Sequence, residues 1–224
     1  MAETAPDIAA LRAEIATIAR GSNVIDRTLE VVSIVEAVSS PLGIHPVVVG
    51  GMAAYFWTAT DEFMTYDIDV VMDAPDELAE KLAELGFERA SDGRHWFLEG
   101  TDVFLEAPSS RLDADAVITE ITLHSGRTAK IVSRVDILID RLDEFQATGH
   151  QVPAQQALAL IAGLQADDIE TLAERASIHG VTAILKAMRE LADAIKAGHT
   201  PPDSAELHEI ARAALQSDYP SSGP

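Results

Sequence analysis

The stretch from Val47 to Met72, VVVGGMAAYFWTATDEFMTYDIDVVM, leaves this chain little conformational choice. An apolar run breaks at Gly50-Gly51, a helix-like segment follows, and a second apolar run begins with Asp67-Ile68-Asp69. In a strand, residues two apart share a face, so Asp67 and Asp69 stand side by side while Ile68 turns the other way. Two neighbouring carboxylates resist joint ionisation unless a positive charge lies between them. A divalent cation is the natural candidate, with oxygen ligands and phosphates as its usual company. A glycine pair lets backbone N–H groups approach an anion closely. The block therefore predicts a centre that handles metal and phosphate.

Composition narrows the setting. The 224 residues suffice for one large domain, or a core with a helical appendage, and 47% hydrophobic content can fill a core. The absence of cysteine excludes disulfides, thiolate zinc sites and a cysteine nucleophile. No apolar run reaches the roughly 18 residues that span a membrane. The acidic start MAETAPDIAALRAEIA lacks a basic leader, so a cytoplasmic protein without membrane contact is expected. The formal net charge of -21 works against broad nucleic-acid binding. No lysine or arginine lies between Arg27 and Lys81. Cations for a phosphate site must then come from the fold, with Arg89, Arg94, Arg111, Arg127, Lys130, Arg134 and Arg141 as the later supply. There is no phosphate loop with Gly-Lys, no Gly-x-Ser-x-Gly elbow and no His-x-x-x-His pair. The histidines, His95 and His124 included, read as ordinary strand and surface residues.

Periodicity divides the chain. Residues 1–43 read as N-terminal helices packed on a core, through Ile8, Leu11, Ile15 and Ile18 and then Leu29, Val32 and Val35. Residues 44–134 read as a mixed core with strands at Pro46 to Val49, Ile68 to Met72, Phe87 to Ala90, His95 to Leu98, Val103 to Ala107, Ile118 to His124 and Thr128 to Val132. Helices are expected over 51–59 and from a start within Asp73-Ala74-Pro75-Asp76-Glu77, with proline and acids in the first turn, to a C-cap at Gly86. Residues 135–218 read as helical throughout, and 219–224 as a disordered tail. The spacing of Ile184, Met188 and Leu191 fits a homodimer seam or packing within the chain equally well.

A third carboxylate is expected from a neighbouring strand. Asp102 and Glu106 share a face in the run Gly100 to Pro108. Glu106 is the harder to explain as a solvated charge, because it sits within an apolar run; Asp102 remains the alternative.

Gly50-Gly51, a helical spacer and then Thr65-Tyr66-Asp67-Ile68-Asp69 resemble the signature of the DNA-polymerase-β-type nucleotidyltransferases. The likeness is strongest to small bacterial members related to abortive-infection and toxin–antitoxin enzymes. It covers roughly residues 44 to 178, with the 50-to-69 block its most specific part. The resemblance implies an α+β fold: a small mixed β-sheet nucleotidyltransferase core with N-terminal helices and a C-terminal helical bundle. It implies Mg²⁺-dependent transfer from a nucleoside triphosphate to an acceptor hydroxyl on a tRNA, a protein or a small molecule, in a possible toxin–antitoxin setting with an antitoxin partner. Asp67, Asp69 and Glu106 (or Asp102) would be the catalytic carboxylates and hold two Mg²⁺ ions. Gly50, Gly51 and Thr65 would bind the nucleotide, with Arg141, in Asp136 to Leu142, where toxin-type enzymes carry lysine. Asp167-Asp168 stands where those enzymes have an Arg-Asp element. Phe63 stands where they commonly have arginine, which raises the alternative of a catalytically weakened nucleotide-binding or regulatory protein on the same fold.

Overall fold

The computed structural model describes residues 7–218, so the expected tail at 219–224 lies outside the described residues. Its contacts divide the chain into two units: Met1–Phe56 with Thr60–Ser133, and Trp57–Ala59 with Arg134–Pro224.

The first unit is built on one mixed sheet. Its strands are β1 (Val47–Val48), β2 (Asp67–Val71), β3 (Phe87–Arg89), β4 (His95–Leu98), β5 (Phe104–Glu106), β6 (Ile118–Thr122) and β7 (Thr128–Val132). Their order is β3-β4-β5-β2-β1-β7-β6. β2 pairs antiparallel with β1 and parallel with β5. β1 and β7 are parallel, and the three hairpin-type neighbours β3–β4, β4–β5 and β6–β7 are antiparallel. Alternation along β2 sends Ile68 and Val70 into the core with Val48, Leu105, Trp96 and Ile131, all essentially without solvent exposure. The opposite face of β2 carries Asp67 and Asp69, exposed and half-buried respectively. Strand β5 is shorter than periodicity suggests, because the Val103 amide donates to the Thr101 hydroxyl (3.1 Å) and stays in the turn.

The unit's helices are α1 (Ile8–Ile18), α2 (Val24–Ser39), α3 (Gly50–Thr58, whose last two residues fall to the second unit) and α4 (Asp76–Leu85). The Asp7 and Asn23 side chains cap α1 and α2 by accepting from the Ala10 and Asp26 amides. Helix α2 is apolar almost all round its middle, with Val31, Val32, Ile34 and Val35 fully buried, and it touches α1, α4 and β7. Helix α4 lays Leu78, Leu82 and Leu85 on the core and ends at Gly86 with φ +102°. The β6–β7 hairpin is tied to α2 at Glu30, which accepts from the Ser125 amide and hydroxyl (3.2 and 2.7 Å) and from Arg127 (3.1 Å).

The second unit is helical: α5 (Arg134–Thr148), α6 (Gln151–Ala162), α7 (Ala166–Ile178), α8 (Thr182–Lys196) and α9 (Ser204–Asp218). Helix α5 packs on α6, α7 and α9, and α8 packs on α9 and α6. Ile184 and Met188 are fully buried inside this unit, so packing within the chain takes up the seam they form. No helix of the described residues is long and apolar enough to cross a membrane.

The Glu30 tie has a pH signature. Burial alone raises its carboxyl, but the Ser125 hydroxyl and amide and the Arg127 guanidinium outweigh burial and hold it below the usual 4.5. Its contribution is therefore complete above the unfolded-state value and disappears as pH falls through the lower folded-state value. Glu30→Gln should lower the unfolding free energy at pH 7 by about 1–2 kcal/mol. Urea denaturation at descending pH should show that deficit shrinking below pH 4.5; a pH-independent deficit would contradict the assignment.

Candidate functional site

Three strands bring the chemistry-bearing residues of the first unit onto one sheet face. The β2–β5 register sets Asp67 opposite Phe104 and Asp69 opposite Glu106. The β4–β5 register sets His95 opposite Glu106 and Phe97 opposite Phe104. Asp69, Glu106 and His95 thus form a row across β2, β5 and β4, flanked by a row of Asp67, Phe104 and Phe97. The Phe97 and Phe104 rings meet edge to face at 4.6 Å, with Phe97 46% exposed.

On the other side of β2 lies the turn from β1 into α3. The Val49 amide donates to the Asp69 carbonyl (2.9 Å), and the Gly51 amide donates to Asp69 Oδ2 (3.3 Å). Gly50 has φ +59°, and a Cβ there would lie 2.3 Å from Asp69 Oδ2 and 2.9 Å from its Cγ. Only glycine permits this approach. A Cβ at Gly51 would meet nothing nearer than the Thr65 methyl at 3.6 Å. Thr65 accepts from the Asp67 amide through its hydroxyl (3.2 Å), fixing the entry into β2. Phe63, half-buried, sits in a short 3₁₀ turn over Asp61–Phe63 that periodicity does not reveal.

The third-carboxylate candidates have separate partners. Asp102 lies outside β5, more than half exposed, and accepts from Arg27 (3.0 and 3.3 Å), whose guanidinium also covers the Tyr66 ring at 5.4 Å. Glu106 is the strand neighbour of Asp69, and its oxygens meet His95 Nε2 (3.2 Å) and Arg94 Nε (3.7 Å). His95 Nδ1 in turn meets Asp92 (2.5 Å). The Asp92 hydrogen bond raises the His95 imidazole above its ordinary range, burial works against this, and Glu106 adds to it. Among the described residues, no group of three or more His, Asp or Glu is gathered closely enough to hold a metal ion. Asp67 and Asp69 nonetheless suit Mg²⁺, which is commonly bound by one or two carboxylates and completed by water and substrate phosphates.

Arg141 belongs to α5 of the second unit. Its guanidinium is engaged there by Asp140, Glu144 (2.8 Å) and Gln156 (3.4 Å). Asp168 accepts from Arg134 (3.4 Å), which also lies over the Trp57 ring, and from the Gln165 amide (2.8 Å).

Comparison with solved structures places the architecture. A crystal structure of an antigenic nucleotidyltransferase-like protein from Paracoccidioides brasiliensis is similar to this chain, with a TM-score of 0.52 and 20% identity over 79% of this chain and 94% of that one. The fold is nucleotidyltransferase-like. The solution structure of the antibiotic-resistance factor ANT(2'')-Ia also matches, with a TM-score of 0.43 and 16% identity over 74% of this chain and 92% of that one. No family model matches the chain, and no curated protein matches it by sequence.

Within this nucleotidyltransferase-like fold, His95 is the residue that sequence reading passes over. Folding 95–106 about Gly100 sets His95 across from Glu106, so the hairpin itself carries the signal. The Gly50 contact yields a sharp contrast. Gly50→Ala should destabilise the protein by about 1–2 kcal/mol or more, from the left-handed backbone alone, and drive Asp69 off the Gly51 amide. Gly51→Ala should fold normally. Thermal melts of the two variants check this, and equal behaviour would contradict the close approach at Gly50.

Proposed function

We propose that this chain is a metal-assisted nucleotidyltransferase, moving a nucleotide from a nucleoside triphosphate to an acceptor hydroxyl. The observation that carries the proposal is the pairing of Asp67 and Asp69 on the open face of β2, with Asp69 seated on the first turn of α3. Bound there, Mg²⁺ would neutralise the triphosphate and the charge that develops during transfer. The chain's own residues do the rest by positioning. Asp67 and Asp69 fix the ion's place, and Gly50 keeps the phosphate path clear of side-chain atoms. The first-turn N–H groups of α3 and the helix field favour an anion at that end. Glu106, across β2 from the glycine turn, takes the proton of the acceptor's hydroxyl as the hydroxyl oxygen bonds to the α-phosphorus and the bond to the β-phosphate breaks, releasing pyrophosphate. No covalent enzyme intermediate is required.

The charge distribution supports a small-molecule or protein acceptor over tRNA. Arg27, Arg89, Arg94, Arg127 and Lys130 of the first unit are each paired with an acid. With a net charge of -21, little cationic surface remains for a polyanion. A toxin–antitoxin setting is part of the same proposal and rests on the 50-to-69 block alone. Phe63, and the engagement of Arg141 by its own helix and Gln156, favour a second reading in which the chain binds nucleotide without turnover.

Incubation with α-labelled nucleoside triphosphates, Mg²⁺ and pooled RNA, protein and metabolite acceptors separates the two. The enzyme reading predicts labelled product that falls about 100-fold or more in Asp69→Asn. Nucleotide binding by calorimetry without any labelled product would instead favour the binding protein. Neither binding nor transfer would overturn both.

A further inference from the structure

Glu106 is held from the side away from Asp69. Its two oxygens meet His95 Nε2 at 3.2 Å and Arg94 Nε at 3.7 Å, both from the β4 side. Behind His95, Asp92 Oδ2 takes the other ring nitrogen at 2.5 Å. Asp92 is itself fixed, because its second oxygen accepts from the Arg94 and His95 amides (3.1 and 3.3 Å). The imidazole also rests against the Phe104 ring, with centroids 5.2 Å apart. His95 and Glu106 are mostly covered, at 18% and 24% side-chain exposure. A carboxylate at each ring nitrogen favours the imidazole form that donates from both.

We propose that Asp92 and His95 are a positioning couple that holds Glu106 on the acceptor side of the site, outside the metal's ligand set, leaving the metal to Asp67 and Asp69. This rests on the reading of Asp67 and Asp69 as the metal pair. A Glu106 already compensated by His95 and Arg94 gains little by turning to a cation. The consequence is a division of labour along one row: Asp69 for the metal and Glu106 for the acceptor hydroxyl. His95 does not touch the substrate; it sets which way Glu106 points.

The test uses the full chain with Mn²⁺ or Mg²⁺ alone. Mn²⁺ affinity, read by electron paramagnetic resonance, should fall at least tenfold in Asp69→Asn and stay within about twofold of wild type in Glu106→Gln and His95→Gln. In ¹⁵N-histidine-labelled wild type, the His95 ring should show both nitrogens protonated. Saturating Mg²⁺ should leave that signature in place, while Glu106→Gln or Asp92→Asn should remove it. The wild-type ring measurement needs no variant to fold. Loss of Mn²⁺ affinity in Glu106→Gln comparable to that in Asp69→Asn, or a His95 Nε2 freed by Mg²⁺, would overturn the proposal. Mn²⁺ affinity unchanged in Asp69→Asn would instead overturn the metal-pair reading beneath it.

Discussion

The rest of the site hangs on one close approach: the backbone of Gly50 against the carboxylate of Asp69. The distance from an added Cβ to Asp69 Oδ2, 2.3 Å, shows how tightly the turn is closed. That closure lets α3 begin directly above β2, so that the N-terminal field of a helix and two strand carboxylates share one small volume. The antiparallel pairing of β1 with β2 supplies the alignment, and the Val49 amide bonded to the Asp69 carbonyl completes it. A side chain at position 50 would separate the two features, and neither alone is distinctive.

The mixed sheet gives this volume two unlike walls. On the β1 side are backbone N–H groups and glycines; on the β5 and β4 side are Glu106, His95 and the Phe97–Phe104 pair. The register of β2 against β5 is what aligns Asp69 with Glu106. In the proposed reading, phosphate binding and acceptor binding fall on opposite sides of the same two aspartates. The strong overall acidity sits comfortably with this plan, because the cations of the first unit largely compensate particular carboxylates rather than forming a basic field.

Much of this was readable from the chain because it depends on local rules. Alternation placed Asp67 and Asp69 on one face of β2, proline and glycine bracketed α4, and helical spacing laid out α5 through α9. What could not be read depends on which strand lies next to which. The β4–β5 hairpin register makes His95 a partner of Glu106, and a sequence-only view left it an ordinary strand histidine. Asp102 and Glu106 share a face by period-two counting, and only the fold shows that Asp102 faces Arg27, a residue 75 positions away. The turn at Asp61–Phe63 stayed hidden because a single 3₁₀ turn has no periodic pattern to detect.

In the proposed function, Asp67 and Asp69 hold a metal ion beside the Gly50-Gly51 turn for a triphosphate. A crystal structure with Mg²⁺ and a non-hydrolysable nucleoside triphosphate tests it most directly. An ion contacting both aspartates, phosphates over the first turn of α3, and Glu106 still on His95 are expected. An ion that touches neither aspartate, or phosphates bound away from Gly50 and Gly51, would contradict it.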